Sequence, residues 1–132
     1  MKYIKVFVYG TLKPGEVNYQ FYCAEYVVHF FPAVAKGVLY KLPIGYPAMT
    51  KGDSNVHGFV LLFKNPLVLS ELDKLEDYHP KRSPEKNEYQ RQIINTFSSD
   101  GKYLGKAWSY LMSQERVELL GSQILPGGLW KP

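Results

Sequence analysis

The spacing of apolar residues changes along the chain, and each change marks an element. Residues 3–9 carry apolar side chains on both alternating faces from Val6 onward, the pattern of a strand buried on two sides. The strand stops at Gly10 and passes through Thr11 and Leu12 into the turn residues Pro14 and Gly15. Residues 17–28, with Phe21, Tyr22, Ala24, Glu25 and Tyr26, are expected to form a short helix that Phe31 and Pro32 end. Over 33–42, Val34, Lys36, Val38 and Tyr40 alternate with Ala35, Gly37, Leu39 and Lys41, which predicts a strand with a bend at Gly37. A loop with Pro43, Gly45 and Pro47 follows, then a strand over 55–63 in which Gly58 marks a bulge or a close approach.

At Asn65 the period lengthens. Asn65 suits a helix cap and Pro66 a first helical turn, while Val68, Leu69, Leu72 and Leu75 recur at helical spacing. This helix is expected to end near Tyr78, since Pro80 cannot continue it. Residues 81–87 read as an exposed loop. Strands over 88–97 and 102–112 flank the turn residues Ser98, Ser99, Asp100 and Gly101, so they predict an antiparallel hairpin. The last stretch, 115–132, opens with a helical turn around 116–120 and closes on Pro126, Gly127, Gly128, Leu129 and Trp130. No linker or repeat divides the chain, so residues 1–132 read as a single domain. About five strands with one central helix predict an α+β fold, a mixed and mostly antiparallel sheet curled into a β-barrel-like form.

Composition narrows the function more than the fold. With 16 Lys and Arg against 12 Asp and Glu the net charge is +4, and the cations are scattered. Lys81, Arg82, Lys86 and Arg91 form the one basic region, without an aromatic and basic nucleic-acid motif beside it, so no nucleic-acid partner is expected. No apolar run approaches the roughly 18 residues of a membrane span, and Met1, Lys2 and Tyr3 lead into a strand without a signal-peptide core. The expectation is a cytoplasmic protein with no membrane partner. Cys23 is the single cysteine, and His29, His57 and His79 lack metal-ligand spacing, so neither a metal nor redox chemistry is expected.

Two places carry candidate chemistry. Gly10 has no Cβ, so a ligand or another backbone can approach there, and the amides of Gly10, Thr11 and Leu12 are placed to converge on one oxygen. An ordinary strand followed by a turn fits the same residues. Glu76 lies four residues after Leu72 and seven after Leu69, on or beside the apolar stripe, whereas Glu71, Asp73 and Lys74 can face water. Lost hydration and the negative helix end both raise the pKa of a carboxylate so placed. A raised pKa suits proton transfer near neutral pH. The plainer reading makes Glu76 a boundary residue at a helix end.

Several segments, taken in order, resemble one family. Tyr9-Gly10-Thr11-Leu12 resembles the YGTL motif of the gamma-glutamylcyclotransferase-like family, which includes gamma-glutamylamine cyclotransferase-like proteins. Gly45-Tyr46-Pro47-Ala48-Met49 is similar to its Tyr-Pro-Ala segment, and Val56-His57-Gly58-Phe59-Val60 to its V-x-G strand. Leu72-Asp73-Lys74-Leu75-Glu76-Asp77-Tyr78 is similar to its L-D-x-L-E-G-Y element, with Asp77 where the family has Gly. Tyr89-Gln90-Arg91 and Trp108-Ser109-Tyr110 fall where it has a Y-x-R strand and an aromatic strand.

The resemblance implies a cofactor-independent enzyme that cyclises a gamma-glutamyl group to 5-oxoproline and releases an amine or amino acid. It implies Glu76 as the catalytic base and Tyr9, Gly10, Thr11, Leu12 and Tyr110 around the substrate. Arg91 either binds a substrate carboxylate or pairs with a helix acid. Asp77 beside Glu76 either raises its pKa further or loses the tight turn that Gly permits. The alternative is a non-catalytic domain of the same fold that binds a small carboxylated ligand. No pattern assigns the leaving amine or an oligomeric state.

Overall fold

The computed structural model describes residues 3–131; Met1, Lys2 and Pro132, on which the expectations for the two ends partly fall, lie outside them. The first strand, β1 (Ile4–Val8), is central, as its two apolar faces demand: Val6, Phe7 and Val8 are all buried. It runs antiparallel to β3 (Pro47–Phe63), from Ile4 opposite Phe63 to Val8 opposite Phe59, and parallel to β5 (Tyr103–Leu111) at Val6 and Trp108. β2 (Val27–Lys41) pairs antiparallel with β3 along most of its length, and with β4 (Gln90–Phe97) at Val34 and Phe97. β4 and β5 form the hairpin expected from the sequence. A short β6 (Gln123–Ile124), absent from the sequence reading, pairs with Tyr40 and Lys41. The order is therefore β3-β1-β5-β4-β2-β6, with β3 also paired to β2, so the sheet curls back on itself into a barrel-like α+β form.

Among the described residues three helices decorate it, α1 (Val17–Tyr22), α2 (Leu67–Leu75) and α3 (Gln114–Leu119), with one 3-10 turn at Pro84–Lys86. α2 begins as its sequence requires, with the Asn65 side chain accepting from the Leu67 N–H at 2.9 Å, and lays Val68 and Leu72 into the core. Ser113 caps α3 by accepting from the Arg116 N–H at 3.1 Å.

Three boundaries differ from the sequence expectation. The first helix ends at Tyr22, and β2 starts at Val27 and runs through Phe31 and Pro32. Residues 27–33 pair with β3 alone, so this half of β2 is a sheet edge, where proline's missing N–H is tolerated. β3 begins at Pro47, not at 55, because residues 47–50 pair with 38–41 while Lys51, Gly52 and Asp53 are extruded at a register shift beside Gly37. α2 ends at Leu75, three residues before Tyr78. Gly58 is the close approach its position suggested: a Cβ there would collide with the Val8 carbonyl oxygen of the neighbouring strand.

Cys23 is fully buried, and burial pushes its thiol up to about 12, which leaves it a packing group. Trp130 is buried against its own domain, in a cluster with Tyr9, Met49 and Leu111. Among the described residues no helix is long and apolar enough to cross a membrane.

Candidate active site

β1 delivers the loop of residues 9–13 to one end of the sheet. The Tyr9 hydroxyl donates to the Tyr110 carbonyl oxygen at 2.6 Å and accepts from the Met49 N–H at 3.2 Å, tying β1 to β5 and β3. Beyond it the Lys13 N–H donates to the Gly10 carbonyl oxygen at 3.0 Å, closing a turn. The Thr11 carbonyl oxygen accepts from the N–H groups of Asn18 and Tyr19 at 2.9 and 3.1 Å, and the Thr11 hydroxyl oxygen accepts from the Asn18 side chain at 2.8 Å. These bonds use the loop's carbonyls and, of the amides from Gly10 onward, only that of Lys13. Among the described residues, the N–H groups of Gly10, Thr11 and Leu12 donate to no protein acceptor, although Gly10 and Leu12 are buried. Buried donors left unpaired call for a ligand or a water. A Cβ on Gly10 would stand 2.7 Å from Pro47 Cγ, so only glycine lets Pro47 close over the loop.

Glu76 reaches the same place from α2. Its N–H donates to the Leu72 carbonyl oxygen at 2.9 Å, and the next residue, Asp77, turns left-handed with φ 53°. The Tyr78 N–H then bonds the Asp73 carbonyl oxygen at 2.8 Å and the Asp77 N–H the Lys74 carbonyl oxygen at 3.3 Å, a Schellman end to the helix. Asp77 thus takes the conformation for which glycine is the usual residue, and the tight turn is kept. Its carboxylate pairs with Arg82 at 3.1 Å. Among the described residues no hydrogen bond holds the Glu76 carboxyl. Burial, and then the negative Glu88, push it from 4.5 up to about 8. The anion that adds to this shift is therefore Glu88, thirteen positions along the chain from Leu75, and not the adjacent Asp77.

Glu76 lines a cleft of about 400 Å³ with Tyr9, Gly10, Thr11 and Leu12, facing Tyr46, Pro47, Tyr89 and Tyr110. Burial keeps the hydroxyls of Tyr9, Tyr89 and Tyr110 neutral, and the Glu76 carboxyl adds to the effect at each. The Tyr89 hydroxyl donates to the Pro47 carbonyl oxygen at 2.8 Å. A second hollow of about 430 Å³ adjoins the cleft and shares Thr11, Tyr46, Glu76 and Tyr89 with it; Asn18, Leu75 and Glu88 complete its wall. The Tyr46 hydroxyl donates to Glu88 Oε1 at 3.4 Å.

Six of the seven residues singled out in the sequence line this cleft: Glu76, Tyr9, Gly10, Thr11, Leu12 and Tyr110. Arg91 does not. It pairs with Asp73 Oδ1 at 3.0 Å and stacks 4.7 Å from the Trp108 ring centroid and 5.6 Å from that of Tyr78. Of the two roles the sequence left to Arg91, the structure has the pairing with a helix acid. Asp73 is accordingly buried rather than facing water. It also accepts from the Tyr110 hydroxyl at 2.7 Å, so that hydroxyl's proton is committed within the protein while its ring lines the cleft. Cross-strand pairing puts Arg91 opposite Tyr110, and Asp73 joins both to the last turn of α2, just before Glu76. Tyr46, Pro47, Glu88 and Tyr89 were not picked out as site residues; the Tyr-Pro-Ala segment was the only signal for the first two and the Y-x-R strand for Tyr89, Glu88 had none, and nothing in either segment placed them beside Glu76. Among the described residues no three His, Cys, Asp or Glu side chains are grouped to hold a metal ion.

Known proteins share this architecture. The family model for "Gamma-glutamyl cyclotransferase, AIG2-like" matches residues 6–132. A Vibrio cholerae protein named "Putative gamma-glutamylcyclotransferase" is 34% identical over 109 residues, covering 83% of this chain and 82% of its own. The crystal structure of YkqA from Bacillus subtilis superposes with a TM-score of 0.68 at 21% identity; the match covers 98% of this chain but 40% of that one, so this chain spans less than half the length of YkqA. An AIG2-like protein from mouse superposes with a TM-score of 0.64 at 20% identity, covering 85% of this chain and 78% of its own. The two structures speak for the fold alone. Matched from its first strand to its last residue by the family model, and a third identical to the Vibrio relative, the chain belongs to the AIG2-like gamma-glutamylcyclotransferase family.

Proposed function

We propose that this protein cyclises a gamma-glutamyl group to 5-oxoproline and releases the attached amine or amino acid. In this reaction the substrate's own α-amine attacks its side-chain carbonyl carbon. One C–N bond forms, the amide C–N bond breaks, and no water is consumed. Glu76 accepts the proton lost by the attacking amine and returns it to the leaving nitrogen, so the carboxylate is regenerated with each turnover. The N–H groups of Gly10, Thr11 and Leu12 hold the oxygen on which negative charge develops. Both reacting groups belong to one molecule, so the cleft's main task is to keep the substrate bent for attack, and the walls of Tyr9, Tyr89 and Tyr110 serve that end. The leaving amine lies in the adjoining hollow, which Glu76 also lines.

The single observation that carries this reading is a half-buried carboxyl, pushed up to about 8 and without a hydrogen-bond partner among the described residues, in the same cleft as three backbone donors unpaired among those residues. A domain built only to bind a carboxylated ligand has no use for such a carboxyl, which costs stability when ionised. The test is 5-oxoproline release from a panel of gamma-glutamyl amino acids, gamma-glutamyl amines and glutathione, with the wild type and Glu76→Gln. Release by the wild type that vanishes in the variant is expected. No release from any substrate, with ligand binding retained by both proteins, would replace this reading with a binding domain.

A further inference from the structure

Two walls of the cleft are loops, residues 10–13 after β1 and 42–46 between β2 and β3, and the C-terminal segment touches both. Lys13 Nζ donates to the Trp130 carbonyl oxygen at 2.7 Å, with its ammonium 5.9 Å from the Trp130 ring centroid. The Trp130 indole N–H donates to the Gly45 carbonyl oxygen at 3.4 Å, one residue before Tyr46 of the cleft wall. Lys13 is 7% exposed and Trp130 4%, and among the described residues no carboxylate pairs with Lys13. A buried ammonium spent on one carbonyl and one aromatic face is a directional tie.

The segment that supplies Trp130 is itself anchored. The Leu125 N–H donates to the Leu39 carbonyl oxygen at 2.8 Å, and the His57 N–H to the Gly128 carbonyl oxygen at 2.8 Å. Gly128 lies so close to the Asn55 backbone that a Cβ there would collide with it. β2 and β3 thus fix the segment, and the segment in turn reaches the two loops.

We propose that residues 125–131 form a clasp in which Trp130 and Lys13 are positioning residues, holding the amides of Gly10, Thr11 and Leu12 opposite the Tyr46 wall. The clasp stands on structure alone; only its effect on turnover rests on the cyclotransferase reading. Neither residue lines the cleft, so both act through the loops they hold.

Lys13→Met removes the ammonium and keeps the stem, and Trp130→Phe keeps a ring and removes the indole N–H. Backbone order is read from 15N heteronuclear NOE values on the full chain, and turnover from 5-oxoproline release. Order should fall at Gly10, Thr11 and Leu12 in Lys13→Met, and at Gly45 and Tyr46 in Trp130→Phe. With it kcat/KM should fall about 10- to 100-fold, the scale of a displacement near 1 Å in a site of this kind. The pH limb set by Glu76 should stay in place, because Asp73 and not the clasp holds the end of α2. Lys13→Arg, which retains a charged donor, should recover part of the loss. Unchanged NOE values in both variants would overturn the clasp whether or not the chain is active. Lost order with unchanged kcat/KM would overturn the positioning role. If the wild type releases no 5-oxoproline, the cyclotransferase reading fails separately, and the NOE values alone decide the clasp.

Discussion

Replacing Glu76 with Gln removes a proton-linked cost while keeping nearly the same volume. The carboxyl's ordinary pKa of 4.5 rises to about 8 in the fold, through burial first and Glu88 second. Between those two values the folded protein holds a proton that the unfolded chain has already released. Unfolding is therefore increasingly favoured as pH rises: the wild type keeps its full stability below the unfolded pKa and has lost all of this contribution above the folded one. At about 1.4 kcal/mol per pH unit, the loss is about 3 kcal/mol at pH 7 and about 5 kcal/mol above pH 8. Gln has no such titration. Relative to its value at pH 4, the stability advantage of Glu76→Gln should grow by about 3 kcal/mol at pH 7 and about 5 kcal/mol at pH 9. Urea unfolding of both proteins at pH 4, 7 and 9, followed by tryptophan fluorescence and extrapolated linearly to water, measures that difference. The value at pH 4 absorbs whatever hydrogen bonds the amide gains or lacks, so the argument rests on the change with pH. A difference independent of pH would refute the picture of a half-buried, poorly hydrated carboxyl without a compensating partner.

Two further perturbations probe the groups around it. Glu88→Gln removes the carboxylate that helps raise the Glu76 pKa, so the rising limb of kcat/KM against pH should move to lower pH; a limb that stays put would leave burial as the only cause. Asp73→Ala leaves the largely enclosed Arg91 guanidinium without its anion and the buried Tyr110 hydroxyl without its acceptor, at a cost of about 3 kcal/mol, the lower end for breaking an enclosed pair. Urea unfolding reads this directly, and a loss under about 1 kcal/mol would show the pair to be as weak as a surface salt bridge.

Local order in the sequence determined most of the elements. Alternation and turn residues were enough for β1, the β4–β5 hairpin and the start of α2, because a strand's period, a cap and a Gly-containing turn are decided within a few residues of each other. The YGTL segment and Glu76 were also legible, one as a strand end with glycine and the other as an acid beside an apolar stripe. Where tertiary contacts outweigh local signals, the sequence misled. Pro32 reads as a stop, yet β2 passes through it because β3 supplies the pairing and the other edge is open. Residues 47–50 read as loop, yet pairing with 38–41 makes them strand.

The roles of Asp73 and Arg91 were decided only by the fold. Helical periodicity places Asp73 off the stripe, but periodicity knows only its own helix; Arg91 and Tyr110, brought opposite each other by the β4–β5 register, make a buried position favourable for an acid. The same holds for Glu88, whose effect on Glu76 is a matter of distance through space and leaves no trace in spacing along the chain. Backbone periodicity and turn chemistry are short-range and can be read from sequence. The assembly of a charge network from α2, β4 and β5 depends on strand register and sheet closure, which only the tertiary structure fixes.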